Sequence, residues 1–252
     1  MSQIICWIGL RGGSVSDAER ARALAGYIRS RAVIEGSGLH IPVETSELLS
    51  RARQLGHDEE AVHTRSMVEL SDVRREAESC TRCGLHTTRR SVVFSDGPDR
   101  ARVMCVGEAP GAREDEMGLP FVGRAGQLLD KLLLSVGFAR EDVYICNVLK
   151  CRPPGNRNPE PEEIELCSPF LLRQVALVQP EVVVAFGTFA AQTLLSVRET
   201  LGRMRGRVHE YQGVPLIVTY HPAALLRNPH WKRPSWEDLQ LVRRTLAENV
   251  SG

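Results

Sequence analysis

Four short apolar runs recur about 35 residues apart along the chain: RVMCV at 102–106, DVYICNVL at 142–149, EVVVAF at 181–186 and VPLIVTY at 214–220. Each is short and rich in β-branched residues, which is how strands covered on both faces read. Between and after them lie stretches of helical spacing, GRAGQLLDKLLLSV at 123–136 and residues 161–178, 188–196 and 235–249. Alternation of strand and helix argues a parallel sheet with helices on both faces. The expectation is a three-layer α/β/α fold around a central, mainly parallel four-stranded sheet.

In such folds ligands lie beyond the carboxyl ends of the strands. The first run leads into GEAPGAREDEMGLPF, residues 107–121. Gly107, Pro110 and Gly111 make a tight turn, because Gly accepts positive φ and Pro fixes φ near −65°. Glycine-bearing loops at this place often cradle phosphate. This one carries Glu108, Glu114, Asp115 and Glu116 and no lysine. Four carboxylates repel a phosphate, so the loop reads as acid/base machinery. Asp115 and Glu116 read as solvated or capping groups. Asn147 and His221 stand at the ends of two later strands.

With 252 residues, 42% of them apolar, the chain can bury one full core and leave a smaller appendage. Residues 1–70 are expected to form a helical extension, with helices over 17–31 and 45–63, and residues 71–252 the main domain. The chain lacks the run of about 18 apolar residues that a membrane span needs. Its start, MSQIICWIGLRGG, lacks the basic and small-residue segments of a signal peptide, so a cytoplasmic protein is expected. A balance of 32 basic and 31 acidic residues leaves nucleic acid open as a partner, since positive charge can gather on one face.

The seven cysteines, in a reducing compartment, point to metal or packing. A helix over 67–79 runs into the CxxC pair Cys80 and Cys83. Then Asp96-Gly97 lies between two apolar runs, a hairpin-like signal. Cys151 and Cys167 flank RPPGNRNPEP, a loop too rich in Pro, Gly and Asn to hold its own shape. Four thiolates around it suggest a metal centre, zinc or iron–sulfur, since both accept four cysteines. Cys6, Cys105 and Cys146 read as packing residues.

Taken together, GEAPG with Glu114 and Asp115, LPFVGRAGQLLD, YICNVLKCRPPGNRNP and HPAALLRNP resemble the family 4 uracil-DNA glycosylases, the bacterial and archaeal iron–sulfur type. The likeness covers about residues 80–246. A related form that becomes covalently trapped on uracil-DNA carries a basic, His-containing insertion after its second strand. Here that interval is short and has no His, which favours the ordinary turnover enzyme. The resemblance implies that Cys80, Cys83, Cys151 and Cys167 hold a 4Fe–4S cluster. It implies that Phe121 stacks on uracil, that Gly107 and Ala109 belong to the substrate pocket, and that Asn147 pairs with the base. His221 would stabilise the departing uracil. Glu108 or Glu114 would activate water, and the resemblance does not choose between them. Leu225, Leu226 and Arg227 would fill the gap left by the extruded nucleotide, while Lys150, Arg152 and Arg157 would meet phosphates. The implied partner is uracil-containing DNA, single- or double-stranded, bound by a monomer. Two other readings remain at this point: a non-catalytic iron–sulfur protein that binds DNA or senses redox state, and a phosphate-binding doubly wound domain.

Overall fold

A computed structural model describes residues 69–250. The expected N-terminal extension, up to residue 68, and Cys6 lie outside the described residues. Five strands form one sheet: β1 (Val103–Gly107), β2 (Val143–Asn147), β3 (Val182–Phe186), β4 (Val208–Tyr211) and β5 (Val214–Thr219), in the order β2-β1-β3-β5-β4. All neighbours run parallel except β4, which pairs antiparallel with β5. The expected count of four is therefore corrected to five. Strand β4 (VHEY) is only half covered and has no apolar run to betray it. It is held by a two-residue turn, Gln212-Gly213, with φ of 53° and 78°. Positive φ at both positions is the geometry of a tight hairpin.

The pleat sends alternate residues to opposite cores. Met104, Val106, Tyr144, Val183, Ala185, Leu216 and Val218 meet α1 (Leu70–Glu78) and other helices on one face. Val103, Cys105, Ile145, Val184, Phe186 and Ile217 face the other core. Next along the chain come α2 (Ala112–Met117) and α3 (Arg124–Leu134), then α4 (Pro161–Val178), α5 (Thr188–Leu195) and α6 (Leu201–Met204), then α7 (Pro222–Arg227) and α8 (Lys232–Val250). Leucines of α3, α7 and α8 fill the second core, and residues of α4 and α5 fill the first. Full burial of each such side chain is worth about 1.5–3 kcal/mol. Cys105 and Cys146 are fully buried packing residues, as expected. Among the described residues no helix is long and apolar enough to cross a membrane.

Two local expectations change. Asp96-Gly97 does not turn a hairpin. Asp96 instead makes one antiparallel bridge to Ile145, on the outer edge of β2. Gly97 has φ of +96°, and a Cβ there would stand 2.0 Å from the Val143 carbonyl. The acidic loop after β1 is itself partly helical, as α2. Within it Asp115 follows the capping and not the solvated alternative: it is 2% exposed, its Oδ1 accepting from the backbone N–H of Arg90 (2.9 Å) and of Ser91 (3.4 Å).

The chain passes from β1 to β2 on one side and from β2 over α4 to β3 on the other. Strand order thus reverses beside β1, and the crevice that a doubly wound sheet opens for ligands lies at its carboxyl end.

Candidate active site

Gly107 and Asn147 are the last paired residues of β1 and β2. Asn147 is 2% exposed, and a Cβ on Gly107 would stand 2.3 Å from its Oδ1 and 2.6 Å from Cζ of Phe121. Only the absence of a side chain at 107 lets the amide and the aromatic ring share this space. The amide keeps one donor and one acceptor side by side, a pattern that matches a carbonyl next to a ring N–H.

Phe121 follows α2 and precedes α3, with φ of +52°. That left-handed conformation costs a residue with a side chain about 1–3 kcal/mol, and the surroundings must hold it. Gly126 on α3 lies directly beneath, where a Cβ would fall 1.7 Å from the Phe121 carbonyl oxygen. Glu114 on α2 reaches across, its Oε1 accepting from the N–H of Val122 (3.0 Å) and Gly123 (2.8 Å). The Phe121 ring meets Phe186 edge-on, with centroids 6.3 Å apart.

His221 leaves the end of β5 and caps α7. The N–H of Ala223 donates to its Nδ1 (3.2 Å), so that nitrogen is the acceptor and Nε2 carries the proton. Burial, followed by the nearby charge of Arg227, lowers its pKa to about 4 against a partial opposing pull from Glu114. The ring is therefore a neutral N–H donor at physiological pH. Gly187, with φ of +94°, lets the chain come close: a Cβ there would be 3.1 Å from the His221 Cβ.

Glu108, at the first turn after β1, accepts from the Leu149 N–H through its backbone carbonyl (3.0 Å), while its carboxylate has no hydrogen-bond partner among the described residues, and burial pushes its pKa up to about 7. The two carboxylates left open by the sequence are thus distinguished. Glu114 is committed to two backbone amides, whereas Glu108 faces the cleft with its charge uncompensated. Glu116 pairs with Arg113 at the surface.

A cleft of about 400 Å³ gathers Glu108, Ala109, Glu114, Phe121, Asn147 and His221, with Arg157 and Arg227 at its walls. Asn156 and Asn158 of the RPPGNRNPEP loop also line it, a place beyond the metal and phosphate roles expected of that loop. Their place in a shared motif with Asn147 and Cys151 was the available signal.

Two expected DNA contacts, those of Lys150 and Leu225, are overturned. Lys150 is 1% exposed and cannot meet phosphate; its Nζ donates to the Asn147 carbonyl (2.6 Å) and to Gln174 Oε1 of α4. Leu225 is fully buried in the core beside α3 and α8, so it is no wedge. Its neighbour Leu226 is 38% exposed and remains available, as does Arg227. Arg152 donates to Asn156 Oδ1 (2.7 Å), and Arg157 donates to both carboxylate oxygens of Glu163, so each also braces its own loop.

Cys80, Cys83, Cys151 and Cys167 line one cavity on the α1/α4 side of the sheet, all as free thiols. Among the described residues, however, no three His, Cys, Asp or Glu side chains stand close enough to hold a metal ion. The donor chemistry does suit thiolate ligands: Arg89 Nη1 donates to Cys151 Sγ and the Lys150 N–H to Cys167 Sγ, each at 3.3 Å. Burial pushes the Cys167 thiol up to about 11 and raises Cys151 as well, so thiolates here need shared positive charge to persist.

Residues 94–240 match the family described as the Uracil DNA glycosylase superfamily. The chain is 45% identical over 184 residues to a type-4 uracil-DNA glycosylase of Archaeoglobus fulgidus, covering 70% of this chain and 92% of that one. It is 42% identical over 184 residues to that of Pyrobaculum aerophilum (69% and 93% covered). To that of Thermotoga maritima it is 46% identical over 158 residues (62% and 82% covered). The glycine at the end of β1, the buried Asn, the left-handed Phe and the capping His all fall inside the matched region, and the chain belongs to the type-4 uracil-DNA glycosylases.

Proposed function

We propose that the protein is a DNA repair enzyme that extrudes uracil from DNA and hydrolyses its N-glycosidic bond, releasing uracil and leaving an abasic site. The observation that carries this is the convergence of Glu108, Asn147 and His221, from the ends of three parallel strands, around the ring of Phe121.

Extrusion costs a few kcal/mol, least in single strands. Stacking on Phe121 returns about 1–3 kcal/mol, and the Asn147 amide pairs with the carbonyl and N–H of the uracil edge. The N1–C1′ bond then breaks with its electron pair leaving on uracil. Negative charge grows on a uracil carbonyl oxygen, and the neutral Nε2–H of His221 donates to it. A donor placed this way is worth about 3 kcal/mol. The carboxylate of Glu108 opposes the positive charge on the sugar and takes a proton from the water whose oxygen bonds to C1′. The uracil anion is protonated by solvent. Glu114, Gly107 and Ala109 shape the pocket; Leu226 and Arg227 reach the gap in the stack, and Arg152 and Arg157 lie towards the phosphates.

Cys80, Cys83, Cys151 and Cys167 would hold the 4Fe–4S cluster, whose contribution is structural: it fixes the loop that forms one wall of the cleft. In this reading the enzyme is a cytoplasmic monomer acting on single- or double-stranded uracil-DNA. Residues 71–252 carry the chemistry and residues 1–70 are an extension outside it.

The test is incubation with uracil-containing single- and double-stranded oligonucleotides followed by alkaline cleavage. Strand scission only after alkali, with free uracil released, is expected; intact strands would refute the reading. Iron and zinc quantified on anaerobically purified protein test the cluster, for which about four iron atoms per chain are expected. Stoichiometric zinc without iron would exclude it.

A further inference from the structure

The left-handed backbone of Phe121 is gripped by two opposite charges. Arg140 stands in the short turn Arg140–Asp142 between α3 and β2. Its Nη2 donates to the carbonyl of Pro120 (2.7 Å) and its Nη1 to the carbonyl of Phe121 (3.1 Å). These two carbonyls flank Phe121, so one planar guanidinium fixes the two dihedral angles between them. On the far side the single oxygen of Glu114 holds the next two amides, those of Val122 and Gly123. One backbone group on each of four consecutive residues, Pro120 to Gly123, is thereby captured by one cation and one anion.

The guanidinium is itself immobilised. Nε donates to Asp96 Oδ2 (2.9 Å) and Nη1 to Asp130 Oδ1 (2.9 Å), and Nη2 lies 2.8 Å from Asp96 Oδ2. Asp130 belongs to α3. Asp96 is bridged to Ile145 of β2 by two backbone hydrogen bonds, Asp96 N–H to the Ile145 carbonyl (2.9 Å) and the reverse (2.8 Å). Ile145 is two residues before Asn147. Arg140 thus connects the backbone of the stacking residue to the strand that carries the reading residue, using a fork that only arginine can present.

We propose that Arg140 is a positioning residue for base recognition: it holds Phe121 in its left-handed conformation, in fixed register with the Asn147 amide, so that one base can stack and pair at once. The inference rests on the uracil-excision reading. A surface ion pair of Arg140 would leave the backbone alone; this one is aimed at the two carbonyls that bracket Phe121.

The experiment measures single-turnover excision of uracil from single-stranded DNA, inhibition by free uracil, and affinity for abasic-site DNA. Arg140→Met should lower the rate and weaken uracil inhibition, each by a factor on the order of 10 to 100, since misplacement of about 1 Å can cost that much. Abasic-DNA affinity should stay within about twofold. Arg140→Lys and Asp130→Asn, gentler changes to the same fork, should fall between Arg140→Met and wild type. In a Phe121→Leu background the Arg140→Met change should cost little more, because there is no ring left to position. Equal loss in both backgrounds, or lost abasic-DNA affinity with unchanged uracil inhibition, would overturn the inference. A wild-type protein that leaves uracil-DNA intact would instead overturn the glycosylase reading, and active Arg140 variants indistinguishable from an active wild type would overturn only this one.

Discussion

The imidazole of His221 lies against the ring of Phe121, with centroids 5.5 Å apart and planes 29° from parallel. The donor to the leaving group and the platform for the base therefore form one wall of the cleft. A ring packed this way is desolvated, and that keeps His221 neutral over the working pH range.

The first prediction concerns the rate profile. With His221 titrating near pH 4 and Glu108 near pH 7, a rate that needs the Glu108 carboxylate should rise through about pH 7 and then level. Glu108→Gln should remove that limb and lower the single-turnover rate by about 100- to 10,000-fold. His221→Ala should lower the rate about 100-fold and leave the limb where it is. A limb with its midpoint near pH 4 to 5, measured under single-turnover conditions, would count against Glu108.

Stability should show two opposite slopes. Glu108 is raised from 4.5 to about 7, so the folded state holds the extra proton between those values and stability falls as pH rises through the window. Partial exposure limits the effect to about 1–2 kcal/mol. His221 is lowered from 6.5 to about 4, so the unfolded state holds the extra proton and stability falls as pH drops through that window, by about 3 kcal/mol. Glu108→Gln should gain on wild type as pH rises from 4.5 to 7, and His221→Gln should gain as pH falls from 6.5 to 4. Denaturant melts across pH 4 to 8 read both, and parallel curves for all three proteins would contradict the assignment.

Asn147→Asp tests base reading. Ionised Asp offers only acceptors, so uracil excision should collapse, by about 10,000-fold for a site built to bond its substrate. Cytosine presents an amino donor next to a ring-nitrogen acceptor, which a buried, protonated carboxyl can satisfy. Weak cytosine excision should appear in mispaired or single-stranded DNA. An unchanged uracil rate would mean that Asn147 does not read the base.

Lys150 and Arg227 should separate cleanly. Lys150→Met strands the Asn147 carbonyl and the Gln174 amide oxygen, each at about 1–3 kcal/mol, and should lower the melting temperature. It should leave the salt dependence of DNA binding unaltered, whereas Arg227→Ala should reduce the slope of log K against log salt by about one. A reduced slope for Lys150→Met would show that its ammonium reaches a phosphate after all.

The four parallel strands were legible because burial on both faces leaves room for few polar residues, and VVVAF or VMCV can be little else. Strand β4 was not, because it pairs on one edge and its side chains alternate with solvent. Phe121, Asn147, His221 and the glycine opposite Asn147 could be placed through the likeness of whole motifs. What motifs do not carry is direction. Leu225 and Leu226 are adjacent in sequence, yet a 100° step around a helix sends one into the core and leaves the other outside. Glu108 and Glu114 both lie in the acidic loop, and only the return of Glu114 to the amides of Val122 and Gly123 tells them apart. Lys150 looks like a phosphate ligand until Gln174, from a helix 24 residues on, is seen to receive its ammonium. Arg140 stands 19 residues from Phe121, in no motif that marks it.

The sheet order leaves the two halves of the chemistry unequally sheltered. Strand β5, which leads to His221, is flanked by β3 and β4, while β2, which ends in Asn147, is an outermost strand secured on its free side by the bridge to Asp96. Outer strands fray before inner ones. On warming, opening at the β2 edge should therefore loosen the amide that recognises the base before the inner strand β5 releases the imidazole that serves the leaving group. Selectivity should then be lost at a lower temperature than cleavage, and amide hydrogen exchange should reach Ile145 before Ile217.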